Sequence, residues 1–405
     1  MNILFYQHQY PAFGGIETVT TMLANAFADD GHNVAIVSFI QKDGTNLLDR
    51  LNRNVLWREL PRPEMDCDAN RNALLEVLKN FKPDNIIFQD SYANIQNVLF
   101  AAVESWKDSC RMSVHVAEHS SPVWLLGKRI KPLLVREMLK RVILFMLKPY
   151  FTYRRFKYES RRRCELFDKA KAYVILSKNY EKAIQRLVGK TRMQKLHVIP
   201  NPVCDVQLEH NVVWKKKQML FVGSLIPTKG VDRLLSVWRD ICHRHSDWEF
   251  IIVGDGAERG RLEKFVDEKN ICNVRFEGFK SSPAPYYHEA SIFVMASDFE
   301  GWPMVLGEAM GQGCVPVVYD SFAAASDIID DGINGRVIRH FKHRKYVAAV
   351  EELMDNAVKR KCFAEAARQK AAKYCMENVK KEWYGLLQGG GVIIVEHNAP
   401  WNIKR

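Results

Sequence analysis

Residues 291–318 read SIFVMASDFEGWPMVLGEAMGQGCVPVV. Ser291 to Ser297 is an apolar run of strand length, Asp298 to Trp302 a loop, and Pro303 suits the first position of a helix running to Gly311 or Gly313. A second apolar run, VPVVYD, follows. Strands separated by helix-length segments lie parallel in a sheet covered on both faces. In this unit Glu300 stands just outside the helix and Glu308 in its second turn. A helix N-terminus offers free N–H groups and partial positive charge, which suits a phosphate oxygen or sugar hydroxyl. A carboxylate accepts at both oxygens and can grip adjacent hydroxyls. The two glutamates could hold two parts of one ligand. Each taken alone is more simply explained by the helix dipole and a solvated face.

The same alternation extends outward. NILFY, NVAIVSF, NIIFQD, MSVHVAEH, AYVILS and LHVIP fill the first half; MLFVGS, EFIIVGD, VRFEGF, SIFVMAS and VPVVYD the second. The fold class is therefore α/β, with two Rossmann-like doubly wound domains facing each other across a cleft. At 405 residues the chain exceeds what one core supports. The boundary is expected between Pro202 and Lys217, giving domains 1–205 and 206–375, with a C-terminal helix and tail over 376–405. In open α/β sheets ligands bind beyond the carboxyl ends of the strands.

Composition is that of an ordinary soluble protein, with 47% apolar and 26% charged residues. Nine scattered cysteines, none spaced C-x-x-C, read as packing residues with neither a disulfide framework nor a zinc site. The start, MNILFYQHQYPAFGG, has no basic leader or long apolar core and reads as a strand and loop, so the chain is expected in the cytoplasm. The net charge of +12 is concentrated: Lys128 to Lys171 carries fifteen Lys or Arg against four acids.

Four more loops sit at strand ends. LFVGSLIPTKGVDRLLSVW places Gly223, Lys229 and Gly230 before a helix with Val231, Leu234, Leu235, Trp238 and Ile241 on one face. Lys229 there could meet a diphosphate, or be a surface lysine. FIIVGDGAERGRLEKF has glycines at 254, 256 and 260, missing the G-x-G-x-x-G spacing by one, so a nicotinamide cofactor is not indicated. YPAFGGIETVTTML puts Gly14 and Gly15 between strand and helix, where a ligand could approach or a tight turn form. HVAEHSSP places His119 at the carboxyl edge of a strand.

The order FGGIE, EHSSP, HVIPNPV, FVGSLIPTKG, VGDGAER, VRFEGF and EGWPMVLGEAMGQGCVPVV, spread over most of the chain, resembles the retaining GT-B-fold glycosyltransferases of family 4. The resemblance implies a nucleotide sugar held mainly by the C-terminal domain and an acceptor by the N-terminal one. It assigns Glu308 to the ribose, and Glu300 with the amides of Gly301, Trp302, Pro303 and Met304 to the sugar; Pro303 itself has no N–H. Lys229 would neutralise the departing diphosphate, Gly15 would meet phosphate, and the backbone near Phe279 the base. His119 would lie beside the transferred sugar and its acceptor. Many relatives have Gly-Arg where this chain has Gly223-Ser224, and a serine donates one hydrogen bond without a guanidinium's charge. The family transfers with retention, usually without a metal. No cofactor is expected, and UDP is the first choice of nucleotide.

The basic segment holds an apolar run, VILFML, too short and too interrupted by charge to span a bilayer. Lys128, Arg129, Lys131, Arg136, Lys140 and Arg141 are expected to form a patch on an anionic membrane at the inner face of the plasma membrane, near a glycan or lipid-linked acceptor. A merely solvated connection is the plainer reading. The aromatics among arginines in YFTYRRFKYESRRR also suit single-stranded nucleic acid, but nothing else resembles such a module and no nucleic-acid partner is expected. A hexosyltransferase in cell-surface polysaccharide or lipopolysaccharide synthesis is the leading expectation. A catalytically silent membrane- or glycan-binding relative and a nucleotide-sugar epimerase of the same fold are the alternatives.

Overall fold

The computed structural model describes residues 1–12, 14–40, 48–62, 66–89, 95–106, 112–119, 121–122, 138–203 and 215–389, with side chains omitted over 138–149. Seven described strands form a first sheet: β1 (Asn2–Tyr6), β2 (Asn33–Ser38), β3 (Val55–Glu59), β4 (Asn85–Phe88), β5 (Ser113–Glu118), β6 (Ala172–Ile175) and β7 (Leu196–Val198). A second holds β8 (Lys216–Val222), β9 (Glu249–Val253), β10 (Val274–Gly278), β11 (Ala290–Met295), β12 (Val315–Tyr319) and β13 (Arg336–Ile338). The orders are β3-β2-β1-β4-β5-β6-β7 and β10-β9-β8-β11-β12-β13, and every named pairing is parallel. Both are doubly wound, with order reversing between β1 and β4 and between β8 and β11, where ligand crevices form. The expected boundary segment, 204–214, lies outside the described residues.

The strands are continuous apolar runs because helices cover both faces. In the first sheet Ile3 and Phe5 point to one face, packing with Val19, Leu23 and Phe27 of helix Gly15–Asp29. Leu4 and Tyr6 enter the core on the other face. In the second sheet helix Val231–Ile241 buries Val231, Leu234, Leu235, Trp238 and Ile241, the face that its apolar spacing predicts.

The chain returns to the first sheet at its end. Helix Ala357–Ala372 stops, and helix Met376–Leu387 buries Val379, Trp383, Leu386 and Leu387 in the same cluster as Ile3 and Phe5. Tyr384 packs on Phe27 with ring centres 5.3 Å apart, and Lys380 pairs with Asp30. Where the two passes of chain cross, Val203 bridges Cys375 and its N–H donates to the Tyr374 carbonyl at 2.7 Å. Val203 also packs on Gly307 so closely that a Cβ there would come within 2.6 Å of it.

Candidate active site

The carboxyl edges of the two sheets meet, and the site is built where they do. In the second sheet β8 and β11 flank the reversal of strand order. After β8, the loop reaches Lys229 and Gly230. Gly230 has φ +65°, and a Cβ on it would sit 2.3 Å from the Ala296 carbonyl oxygen, so glycine is required for this loop to press against the end of β11. Gly254 is required likewise, since its Cβ would lie 1.9 Å from the Gly223 carbonyl oxygen. After β11, the Asp298 N–H donates to the Thr228 carbonyl at 2.7 Å, and Arg233 reaches back to Ala296 O at 2.6 Å and Asp298 Oδ1 at 2.8 Å.

This stitching brings Lys229 and Glu300 together: Nζ lies 2.7 Å from Oε1, with the side chains 28% and 13% exposed. Helix Met304–Gly311 begins at once, one residue later than the sequence suggests, because Pro303 takes the cap position with an extended ψ. The first N–H groups of such a helix have no intrahelical acceptor. Glu308, half-buried in the second turn, accepts from the Tyr287 hydroxyl at 2.9 Å. Burial and the Glu308 charge raise the Tyr287 phenol well above its ordinary pKa, so it stays a donor.

The other assigned residues fall at the same edges. Trp302 turns inward, 6% exposed, its ring centre 5.0 Å from that of Tyr374, so its side chain belongs to the core. Met304 packs against two hydrophobic clusters, one holding Leu306 and Met310 of its own helix and one holding Ile3 and Phe5 of the first sheet. Ser224 is exposed on the β8 loop, and Phe279 stands 55% exposed just beyond β10. Gly15 opens helix Gly15–Asp29 and is exposed, with nothing within 4 Å of where its Cβ would be. Protein packing therefore does not demand glycine there. His119 follows β5 and hydrogen-bonds through Nε2 to Gln89, which follows β4. Burial lowers its pKa to about 4, against the opposing pull of Asn201 and Glu118. Its Nδ1 is buried and has no partner of hydrogen-bond geometry among the described residues.

Several contacts were not visible in the sequence. Tyr180, beyond β6, is 3% exposed and donates to the carbonyls of Glu300 and Gly301. Asn179 Nδ2 donates to Asp327 Oδ1 at 2.7 Å, and Ser177 donates to the same carboxylate. On the other flank Arg50 donates to the Ser281 carbonyl at 2.9 Å. Beside His119, Glu118 is wholly buried and gripped by Arg163 and by the Tyr173 hydroxyl. Arg163, on helix Met138–Lys169, also pairs with Glu159, which Arg162 joins at 3.2 Å.

The described part of the basic segment is not uniformly exposed. Of three consecutive arginines, Arg161 is 84% exposed while Arg162 and Arg163 are buried in ion pairs. Lys128, Arg129, Lys131 and Arg136 lie outside the described residues; Lys140 and Arg141 fall on the first turns of helix Met138–Lys169. The sequence holds one Asp-x-Asp triplet, a spacing that can hold a metal, at Asp66-Cys67-Asp68, and both of its carboxylates pair with Arg71 at the start of helix Asp68–Phe81.

Two family models match the chain: Glycosyltransferase Family 4 over residues 13–205 and Glycosyl transferases group 1 over 208–370. The chain belongs to the GT-B glycosyltransferases. Among relatives of this GT-B chain, the amylovoran biosynthesis glycosyltransferase AmsD of Erwinia amylovora is 30% identical over 174 residues, 43% of this chain and 48% of AmsD. The poly(ribitol-phosphate) alpha-N-acetylglucosaminyltransferase of Staphylococcus aureus is 24% identical over 232 residues, 54% of this chain and 46% of that protein. The matched region thus spans about half the length of these relatives. The GT-B fold is shared with S. aureus TarM, solved with fondaparinux, alpha-GlcNAc-glycerol and UDP, at a TM-score of 0.71 and 14% identity over 96% of this chain and all of that one. Anabaena HepE, solved with UDP, gives 0.71 and 15% over the same shares.

Proposed function

We propose that this GT-B chain transfers a hexose from a nucleotide diphosphate sugar, UDP-linked as first choice, to a glycan or lipid-linked acceptor in cell-surface polysaccharide or lipopolysaccharide synthesis. The observation that carries the reading is the Lys229–Glu300 pair, 2.7 Å apart at the start of a helix on a topological switch point. A cation and helix amides suit a departing diphosphate; a carboxylate beside them suits sugar hydroxyls. Glu308, held by Tyr287 in the second turn of that helix, suits a ribose. Neutral His119 can share hydrogen bonds with the sugar or acceptor without bringing charge to it.

Transfer proceeds with retained configuration by front-face displacement through a short-lived oxocarbenium ion, with stabilisation of the leaving diphosphate as the main term. Lys229 and the amides supply the positive charge that a metal would otherwise bring, so the reaction needs none. Gly15, exposed where packing does not require glycine, is available for phosphate approach from the first domain. Relatives whose names include amylovoran biosynthesis and poly(ribitol-phosphate) glycosylation, and neighbours solved with UDP, support the donor and acceptor classes.

The acceptor side lies at the inner face of the plasma membrane, reached from the cytoplasm. Helix Met138–Lys169 exposes Tyr150, Tyr153 and Tyr158 at 54%, 62% and 55%, interleaved with Arg154 and Lys157. Aromatic rings and cations on one helix suit the headgroup layer of an anionic leaflet. Among the described residues no helix is long and apolar enough to cross a membrane. Ser224, lacking the guanidinium of many relatives, favours the second reading, a silent member that binds glycan or membrane alone.

Thermal unfolding with UDP, GDP, ADP and CMP, each with and without EDTA, tests the reading. Saturation at a hundred times Kd stabilises by about 2.7 kcal/mol. A shift with UDP that survives EDTA is expected, followed by sugar transfer from the matching donor. No shift with any nucleotide would leave the silent reading in its place.

A further inference from the structure

Far from the cleft, two sulfurs and an imidazole converge. Cys242 caps helix Val231–Ile241, His243 follows it, and Cys272 lies just before β10. The helix runs against the strands, so the group sits at the opposite end of the sheet from Lys229. Their ligand atoms all lie within 4.8 Å of one another, and Cys272 Sγ is 3.8 Å from His243 Nδ1. Cys242 is wholly buried, Cys272 half-buried and His243 exposed, so the group opens to solvent on one side.

Its surroundings hold both segments in place. The Trp238 indole donates to the Cys272 carbonyl at 2.8 Å, and the Asn273 amide donates to the carbonyls of Ser246 at 2.9 Å and Trp248 at 3.2 Å. The Cys242 thiol also lies 3.7 Å from the Arg239 carbonyl; Cys314, buried in the same domain, faces the Tyr287 and Ala290 carbonyls at 3.0 and 3.2 Å but joins no such group of ligand atoms among the described residues.

We propose that Cys242, His243 and Cys272 form a three-ligand site for a soft divalent cation, zinc first, with water in the fourth position. Tetrahedral zinc with bonds of about 2.3 Å to sulfur and 2.0–2.1 Å to nitrogen separates sulfur from nitrogen by roughly 3.6 Å and sulfur from sulfur by roughly 3.8 Å, so the three ligand atoms need only draw slightly closer from their present separations of at most 4.8 Å. Thiolate and imidazole ligands select such ions over magnesium or calcium. On binding, each thiol releases its proton to solvent while its sulfur lone pair forms the metal bond. Two thiolates offset the dication, which suits a half-buried site. The cysteines lie far apart in sequence, so no C-x-x-C spacing announces them. The cation would clamp the far end of the helix that begins beside Lys229, a structural role separate from transfer.

The test uses the full chain, reduced and then titrated with cobalt chloride or zinc sulfate. About one metal per chain, tetrahedral thiolate–cobalt absorption, and a zinc-dependent rise in unfolding midpoint reversed by chelator are expected. Cys272→Ser and His243→Ala should each weaken binding by at least about tenfold. Cys362→Ser, an exposed cysteine on another helix, should not. His243 is exposed, so its variant folds even if Cys272→Ser does not. Absence of thiolate–cobalt absorption, or unchanged binding in the His243 variant, overturns the site. So does a Cys242–Cys272 disulfide that persists in reductant and excludes metal.

Discussion

The Tyr180 hydroxyl, from the first domain, donates to the backbone carbonyl of Glu300 at 2.8 Å, in the second domain's candidate donor loop. The same oxygen lies 3.0 Å from the Gly301 carbonyl, so one buried proton serves two acceptors across the domain boundary. The loop that presents Glu300 is thus shaped by its own sheet and by the opposite domain. Tyr180→Phe removes only this oxygen. About 1 kcal/mol of stability should be lost, with kcat/KM for the donor falling roughly tenfold, which is 1.4 kcal/mol at the transition state. Steady-state kinetics beside urea unfolding separates the two, and unchanged kinetics would refute control from across the boundary.

Glu300→Ala should abolish transfer while leaving the fold intact, because a partly exposed ion pair contributes only about 1 kcal/mol. Lys229→Ala should mainly lower the rate, with little recovery on adding magnesium. Equal donor turnover in the Glu300 variant and the parent would exclude the sugar-holding role.

His119 gives a pH signature. Its pKa, about 4 in the folded protein, lies below the unfolded value of 6.5. The unfolded chain therefore takes up a proton first as pH falls, and stability present above pH 6.5 is lost between 6.5 and 4. The loss from pH 7 to 5 should be about 1–2 kcal/mol. His115, also lowered to about 4 by burial, acts in the same window. The decisive quantity is thus the difference in pH slope between the parent and His119→Asn; parallel curves would contradict the linkage.

Arg163→Met should destabilise by about 3–5 kcal/mol, since it leaves Glu118 and Glu159 charged and buried without their shared partner. Lysine should not restore the loss, because it cannot reproduce the fork to two carboxylates. Chemical unfolding measures both variants.

The strands and their parallel order were legible because burial on both faces writes them as uninterrupted apolar runs. Glu300 and Glu308 were legible as candidate site residues only together with the loops around them. The Lys229–Glu300 pair was not, since a sheet reversal joins positions 71 residues apart. Tyr180 gave no signal: its partner lies 120 residues on, and SKNYEKAI reads as an ordinary helix start. In the arginine run 161–163 residue type says nothing about burial. Each helical step turns the side chain by about 100°, and that alone sends Arg161 to solvent and Arg163 inside.

The paired crossing at Val203 and Cys375 has a mechanical meaning. Two tethers lying side by side leave one easy rotation, about the line through them, and resist twist about any other. A rotation of the domains about that line would resemble the swing of a door on one pair of pins. Because Val203 bears directly on Gly307, the pins are set against the helix that carries Glu308. A side chain at Gly307 would press on that joint, since even a Cβ there would lie 2.6 Å from Val203 Cγ2.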